Sequence, residues 1–204
     1  MKLKYAINLH KGTTAFFVTA LMFYFHNFST TAFVYLALHG SYGFLWLLKD
    51  QLFPDKQWEE VVSIPYAIVA FSALLLYWIA PVYIIYYGIN APAALIGAAV
   101  AVNIFGTVLH FGGDAQKHFT LLHKKGLITT GFFSRTRNPN YLGELMIYLS
   151  FAMLTTHWIG YVGITLFFAF VFIPNMLRKD KSISRHPEFA EYKKHSGLLL
   201  PKFW

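Results

Sequence analysis

Long apolar segments alternate with short polar connections along the chain, and this pattern predicts helices that cross a membrane. A helix needs about 20 mainly apolar residues to span a bilayer. The last two segments are separated by little more than His157 and Trp158, so we expect them to form a tight helical hairpin. The apolar segments run approximately over residues 13–28, 30–48, 61–87, 92–111, 142–155 and 158–174.

The composition strengthens this prediction and narrows the class of protein. Of the 204 residues, 56% are hydrophobic and only 13% are charged, and so many apolar runs cannot all be buried in a soluble core of this size. We therefore expect an all-α fold, a polytopic integral membrane bundle of about six transmembrane helices that forms one domain over residues 1–204. Its last part should be a C-terminal helical hairpin followed by an amphipathic cytosolic tail.

Charged residues are confined to every second connection, which predicts the orientation in the membrane. All of them except Glu144 lie in residues 1–12, 49–60, 112–141 and 175–204, which six crossings would place on one side. An excess of Lys and Arg marks the cytoplasmic side, so both termini are expected there, and we expect the membrane to be a bacterial inner membrane. Membrane topology thus accounts for the net charge of +8, and no nucleic acid is expected as a partner.

The sequence RTRNPNYLGE at residues 135–144 places several polar side chains at the start of an apolar segment. Proline disfavours helix in the residue before it and fits the first helical turn, so Asn138 should cap a helix that starts near Asn140. A helix N-terminus binds phosphate or carboxylate, and Arg135 and Arg137 add donors for the same anion. An anion-binding corner is therefore predicted, although either arginine alone is also typical of a membrane anchor.

Three side chains that follow this corner should share one face of the fifth predicted helix. Tyr141, Glu144 and Tyr148 are spaced by three and four residues, which places them on one side of a helix. Glu144 lies one turn into the span, where an ionisable group is costly and indicates a function. The alternatives are a solvated carboxyl at the helix mouth and tyrosines of the interfacial belt.

The second predicted helix also carries polar side chains on one face. His39, Tyr42 and Trp46 are three and four residues apart, and His110 and Asp114 form a similar pair at the end of the fourth helix. Two such faces favour a polar pocket within the bundle. Taken singly, a histidine of this kind is more often a hydrogen-bonded packing residue.

The tail after the last predicted helix combines basic and amphipathic residues. Arg178, Lys179, Asp180 and Lys181 follow the helix directly, and residues 188–192 favour a short amphipathic helix on the membrane surface. Attraction to anionic lipid accounts for this tail as well as ligand binding does.

No metal is expected as a ligand. The chain contains no cysteine, and none of its nine histidines shows the HExxH spacing. It also lacks the GxGxxG and P-loop motifs, so a nucleotide would not be bound as in those soluble folds.

The polar residues carry a resemblance to a known family. The sequence R-N-P-N-Y-L-G-E, preceded by G-D-x-Q-K and G-L-I-T-x-G-F-F, resembles the C-terminal signature of the steroid 5-alpha-reductase and sterol-reductase superfamily, in a bacterial branch of it. The pattern H-x-x-Y-x-x-x-W-x-x-K-x-x-x-F-P in the second helix resembles the same branch. The match covers about residues 35–58 and 105–204. The wider superfamily includes isoprenylcysteine carboxyl methyltransferases and phospholipid methyltransferases.

The resemblance implies a membrane enzyme that binds NADPH from the cytosol in a half formed by about residues 105–204. Its lipophilic substrate would enter from the bilayer. By that likeness Asn140, Tyr141 and Glu144 lie beside the nicotinamide, and Asp114 contacts the cofactor. The other cofactor-binding residues are expected to be Lys117, Arg135, Arg137, Asn138, Arg178, Asp180 and Tyr192.

The implied reaction is reduction of a C=C bond in a lipid or steroid-like enone. It needs hydride delivery to one carbon and a proton donor that polarises the carbonyl, and Tyr42 or His39 would have to be that donor. The early helices contain no acidic residue and Gly40 follows His39. Steroid 5-alpha-reductases differ at both points, so steroid specificity is not implied.

Two other functions stay open. An S-adenosylmethionine-dependent methyltransferase would use the same corner, with Arg137 or the helix terminus on the ligand carboxylate and Asp180 on its amino group. Such enzymes usually have R-H-P and a Glu-Glu pair in the tail. Here Asn138 replaces the histidine and the pair is missing, which favours the reductase by family analogy. The third alternative is a lipid-binding membrane protein without enzymatic activity.

Overall fold

The fold is helical throughout the part of the chain that the computed structural model describes, residues 1–203. Short 3-10 and π-helical turns join several of the α-helices, and no β-strand occurs in this range. The all-α prediction is confirmed. The helices are α1 (Leu3–Tyr24), α2 (Thr30–Leu52), α3 (Ile64–Leu74), α4 (Ile79–Tyr86), α5 (Ala93–His123), α6 (Pro139–Met153), α7 (Val162–Phe167), α8 (Ile173–Ile183) and α9 (Phe189–His195).

Within residues 1–203, four helical stretches are long and apolar enough to cross a membrane. Two of them combine shorter helices, because α3 continues into α4 and α7 continues into α8. Large apolar side chains such as Ile68, Phe105 and Phe170 are exposed on them, which suits contact with lipid tails. These features are those of an integral membrane protein. The four stretches are Thr30–Leu52, Ile64–Tyr86, Ala93–His123 and Trp158–Ile183.

Three helices are longer than the hydropathy pattern predicted. α1 begins ten residues earlier, at Leu3, while α5 continues to His123 and the last stretch continues to Ile183. As a result, Lys11 and Asp180 lie on helices instead of in connections. The predicted boundaries were wrong because a hydropathy pattern stops at a charged residue. A helix backbone continues wherever such a side chain finds water or a partner.

Contacts between Cα atoms group the chain into two compact units. The first unit comprises Met1–Asn103 and Tyr148–Ile164, and the second comprises Ile104–Ile147 and Thr165–Trp204. Most of the predicted cofactor-binding half, about 105–204, therefore falls in the second unit. The expectation of one domain over the whole chain stays a prediction.

The first unit is built on the packing of α1 against α2. Gly43 of α2 lies so close to the carbonyl oxygen of Lys11 that a Cβ atom there would collide with it. Tyr35 and Tyr42 of α2 are almost completely buried. A small residue at the crossing therefore sets how close the two helices come.

The second unit contains a close crossing between the second half of α5 and the start of α6. A Cβ atom on Gly106 would lie 2.8 Å from the carbonyl oxygen of Gly143 and 2.9 Å from the backbone nitrogen of Ile147. Gly143 in turn lies against the backbone of His110. Glycine permits such contact because membrane helices associate through close backbone packing.

We expect Gly106→Ala to lower the free energy of unfolding by about 1 to 3 kcal/mol, because the added methyl group overpacks this crossing. The matched control is Gly97→Ala on the same helix, where nothing lies within 4 Å of the new Cβ atom. That variant should be as stable as the natural protein or more stable. Denaturant unfolding of both variants in detergent measures the difference, and equal stability would contradict the crossing.

Candidate functional site

The polar corner at residues 135–144, which we predicted to bind an anion, lies where an extended segment enters α6 and meets the C-terminal tail. Thr136 pairs with Gly197 in an isolated parallel bridge. The backbone N–H of Arg137 donates to the carbonyl of Gly197 at 2.9 Å, and the N–H of Gly197 donates to the carbonyl of Arg135 at 3.0 Å. Within the second unit, the tail therefore closes over the corner.

Arg137 is the centre of this arrangement, and its side chain is only 5% exposed. Its Nε donates to Oδ1 of Asp180 at 2.6 Å and its Nη2 donates to Oδ2 at 3.0 Å. Its Nη1 donates to the carbonyl oxygen of Ser196 at 2.5 Å. The Arg137 guanidinium, which we expected to hold a bound anion, thus donates two hydrogen bonds to a carboxylate of α8 and joins it to the tail.

Asn138 occupies the cap position of α6, since its carbonyl accepts from the N–H of Leu142 at 3.1 Å. The helix begins at Pro139, one residue before the predicted start. The side chain of Asn138 does not cap the helix, because its buried Oδ1 accepts no hydrogen bond within residues 1–203. Its Nδ2 donates to the carbonyl of Leu198 at 2.8 Å.

Asn140 connects α6 to the polar end of α5. Its Nδ2 donates to Oδ1 of the buried Asp114 at 3.0 Å, and Nζ of Lys117 lies 3.5 Å from the same oxygen. Nδ1 of His110 donates to the Asn140 carbonyl at 3.1 Å. The side-chain Oδ1 of Asn140 is buried and has no hydrogen-bond partner in the described part of the chain. Such an acceptor is costly to bury unless something donates to it.

The remaining predicted residues around the corner differ in exposure. Arg135 and Arg178 are exposed, and Glu144 is partly exposed. The ring of Tyr141 packs against Phe172, with 5.3 Å between the ring centres. Because α6 is continuous through residue 153, Tyr141 and Glu144 share one of its faces with Tyr148, three and four residues apart.

The tail forms a short helix, α9, which is anchored to the corner by Tyr192. The phenol of Tyr192 is buried and donates to the carbonyl of Phe133 at 2.6 Å. Thr136 fixes the following residues, since its hydroxyl donates to the carbonyl of Leu199 at 2.7 Å. Tyr192, which we expected to contact a cofactor, therefore holds the tail in place.

A second polar cluster lies in the first unit, and we name it the lysine–tyrosine cluster: Lys11, Tyr42, Trp46 and Tyr148. Nζ of Lys11 donates to the phenol oxygens of Tyr42, at 3.2 Å, and of Tyr148. It also lies 4.3 Å from the centre of the Tyr42 ring and 4.9 Å from that of Trp46. The side chain of Lys11 is buried, at 2% exposure.

The sequence reasoning placed Tyr42 in a polar pocket but missed Lys11, which we took for part of a basic flank. A signal was present in the sequence, because the apolar residues Leu3, Ile7 and Val18 have the spacing of one helix face, and Lys11 and Thr14 fill the positions between them at intervals of three and four residues. This period is that of a helix with one buried face. Lys11 lies on that face.

His39 lies beside this cluster in the first unit and is fully buried. A hydrogen bond of 2.8 Å joins its Nδ1 to the phenol of Tyr35, and its ring stacks on Phe151 with 4.3 Å between centres. Its Nε2 has no hydrogen-bond partner among residues 1–203. In the same range, no group of three or more histidine, aspartate or glutamate side chains is arranged to hold a metal ion.

The fold and the corner define a helical membrane protein whose C-terminal tail closes over the start of one helix. Residues 49–196, more than half of the chain, match the family described as protein of unknown function DUF1295. The chain belongs to that family. Neither a curated protein nor a solved structure matches it.

We expect Asp180→Asn to lower the free energy of unfolding by about 3 to 5 kcal/mol, because it leaves the buried Arg137 guanidinium without its counter-charge. The neighbouring Arg135→Ala is the control, since an exposed side chain usually changes stability by less than about 0.5 kcal/mol. Denaturant titration in detergent gives both values. The ion pair would have no structural role if the two variants unfolded alike.

The pH dependence of stability should report the burial of Tyr192. Burial raises the pKa of this phenol to about 12, so the unfolded chain loses the proton first as the pH rises. The neutral phenol thus favours folding below about pH 10, the ordinary value for tyrosine, and this contribution is lost as the pH rises through 12. Tyr192→Phe should unfold with a shallower decline in that window, and an unchanged slope would exclude this role.

Proposed function

We propose that this protein is a membrane-embedded, NADPH-dependent reductase of a C=C bond in a lipophilic enone. The DUF1295 family is associated with steroid 5-alpha-reductase-like proteins, and the motif at residues 137–144 resembles the signature of the same superfamily. The type of reaction is inferred from that analogy. The residues assigned to cofactor binding are those of the corner in the second unit.

The groups around the corner fit a nicotinamide dinucleotide. The buried Oδ1 of Asn140 has no donor within residues 1–203, and a nicotinamide carboxamide carries N–H groups that could supply one. Lys117 and the exposed Arg135 and Arg178 provide positive charge for the phosphates. The cofactor would supply the hydride. Asp114 would keep Asn140 oriented through their hydrogen bond.

The observation that favours a reductase over a methyltransferase is the ion pair between Arg137 and Asp180. The methyltransferase reading needs Arg137 for the carboxylate of S-adenosylmethionine and Asp180 for its amino group. Both side chains already bind each other through two hydrogen bonds of 2.6 and 3.0 Å. Separating the buried Arg137 from its countercharge to admit a ligand is costly, whereas the reductase reading can use the exposed arginines.

The membrane topology that we propose with this function has six crossings and both termini in the cytoplasm of a bacterial inner membrane. In it, α1 and α6 join the four long apolar stretches. One ion pair supports a common side for the N-terminus and the connection after α2, since Nζ of Lys2 lies 2.6 Å from Oε2 of Glu59. The cofactor would then enter from the cytosol, and the lipid from the bilayer.

The purified protein in detergent should melt at a higher temperature with NADPH than without it. A ligand that binds only the folded state stabilises it by about 2.7 kcal/mol at 100 times its dissociation constant. The double variant Arg135→Ala with Arg178→Ala should lose most of this shift, because the phosphates lose two cations. Arg185→Ala, an exposed arginine of the tail, is the matched control and should keep it.

The same experiment with other ligands separates the alternatives. A shift with NADH equal to that with NADPH would contradict the preference for the phosphorylated cofactor. Stabilisation by S-adenosylmethionine alone would replace the reductase with a methyltransferase. No shift with any of them would favour a lipid-binding protein without this chemistry.

A further inference from the structure

A pocket in the second unit lies between the end of α5 and the turn that joins α8 to α9. Its volume is about 600 Å³, within the range of about 300 to 1,000 Å³ that is usual for sites of small ligands. Its walls are formed by Thr120, Lys124 and Lys125 at the end of α5, by the loop at residues 126–130 and by the turn at residues 186–188. All of these residues belong to the second unit.

Hydrogen bonds hold the loop and the turn that line this pocket. Gln116 of α5 fixes the loop, since its Nε2 donates to the carbonyl of Thr130 and its Oε1 accepts from the N–H of Phe132, both at 2.9 Å. In the turn, the N–H of the buried Phe189 donates to the carbonyl of His186 at 3.0 Å. The pocket is therefore already formed in the protein alone, as is usual for a ligand site.

The position of the pocket along the helices corresponds to the lipid headgroups. Its walls follow directly after two stretches that are long and apolar enough to cross a membrane, Ala93–His123 and Trp158–Ile183. The 31 residues of α5 span about 46 Å at 1.5 Å per residue, and a bilayer with its headgroup regions is about 40–45 Å thick. Leu121 and Leu122 are exposed beside the lysines, which suits contact with acyl chains. These features favour a phospholipid as the ligand over a soluble molecule.

Charged side chains of both signs line the pocket. Lys124 and Lys125 contribute two ammonium groups, and Glu188 contributes a carboxylate. Within residues 1–203, none of these three side chains forms an ion pair or a hydrogen bond, whereas the carboxylates of Asp180 and Glu191 have cationic partners. Ammonium groups attract a phosphate, and a carboxylate attracts an ammonium group. A headgroup with both charges thus matches the lining better than one that carries a phosphate alone.

We propose that this pocket binds the headgroup of a membrane phospholipid that carries a phosphate and a primary ammonium group, as in a phosphatidylethanolamine. Lys124 and Lys125 bind the phosphate, in the manner of basic pockets that recognise lipid headgroups. Glu188 accepts a hydrogen bond from the ammonium group. The acyl chains extend along the exposed Leu121 and Leu122. This site is independent of the proposed reductase function, because none of its residues is assigned to the cofactor.

Native mass spectrometry of the purified protein in detergent measures this binding. Dioleoyl phosphatidylethanolamine should bind about fivefold more tightly than dioleoyl phosphatidylcholine, the effect of a partly exposed ion pair, since the quaternary ammonium of the second lipid cannot donate a hydrogen bond to Glu188. Glu188→Gln should remove the preference. Glu60→Gln removes an exposed carboxylate of the first unit. It is the matched control and should keep the preference.

The two lysines are tested with the same lipids. The double variant Lys124→Met with Lys125→Met should bind both lipids at least about fivefold more weakly, because both lipids contain the phosphate. The control is Lys56→Met with Lys181→Met, which removes the same charge at exposed positions outside the pocket. It should bind both lipids as tightly as the natural protein does.

Several outcomes would overturn the proposal. Equal binding of the two lipids by the natural protein would do so, as would a preference that Glu188→Gln retains. Tighter binding of dioleoyl phosphatidylglycerol than of dioleoyl phosphatidylethanolamine would assign the pocket to a lipid without an ammonium group. Binding of soluble O-phosphoethanolamine as tight as that of the lipid would assign it to a soluble ligand. If Glu188→Gln failed to fold, unchanged lipid binding in the double lysine variant would by itself exclude the site.

Discussion

The ion pair between the buried Arg137 and the partly buried Asp180 is the interaction on which the second unit depends. A guanidinium in a water-poor environment must be paired and fully hydrogen-bonded, and Arg137 meets this need through the carboxylate of α8 and the carbonyl of Ser196. Lys179 adds a hydrogen bond of 2.8 Å to the Arg137 carbonyl. Arg137, two positions before α6, thereby joins a distant helix and the tail. The backbone from residue 135 to 138 is held in the shape that directs Asn140 toward Asp114.

A buried cation is used differently in each unit. In the second unit, a permanent charge meets a permanent countercharge, which favours a fixed structure. In the first unit, the ammonium of Lys11 meets the phenols of Tyr42 and Tyr148 and the ring faces of Tyr42 and Trp46. Aromatic ring faces attract a cation without carrying a countercharge. The two buried cations therefore have different partners, a carboxylate in one unit and aromatic side chains in the other.

Local features of the chain were predictable to the extent that they depend on neighbouring residues. Asn138-Pro139 marked the start of α6 within one residue, because proline restricts the residue before it and fits the first helical turn. The apolar segments indicated the long helices of the membrane class. Helix ends were less predictable, since α5 continues past the apolar segment to carry Asp114 and Lys117, where hydropathy indicated a connection.

The sequence by itself determined the all-α membrane class, the position of the polar corner and the face shared by Tyr141 and Glu144, because helical period, apolar length and proline chemistry act over a few residues. Only the tertiary structure decided what each polar group contacts. Arg137 meets Asp180 across 43 residues, and Lys11 meets Tyr148 across 137. Such pairs depend on which helices pack together, and no spacing along the chain encodes that choice.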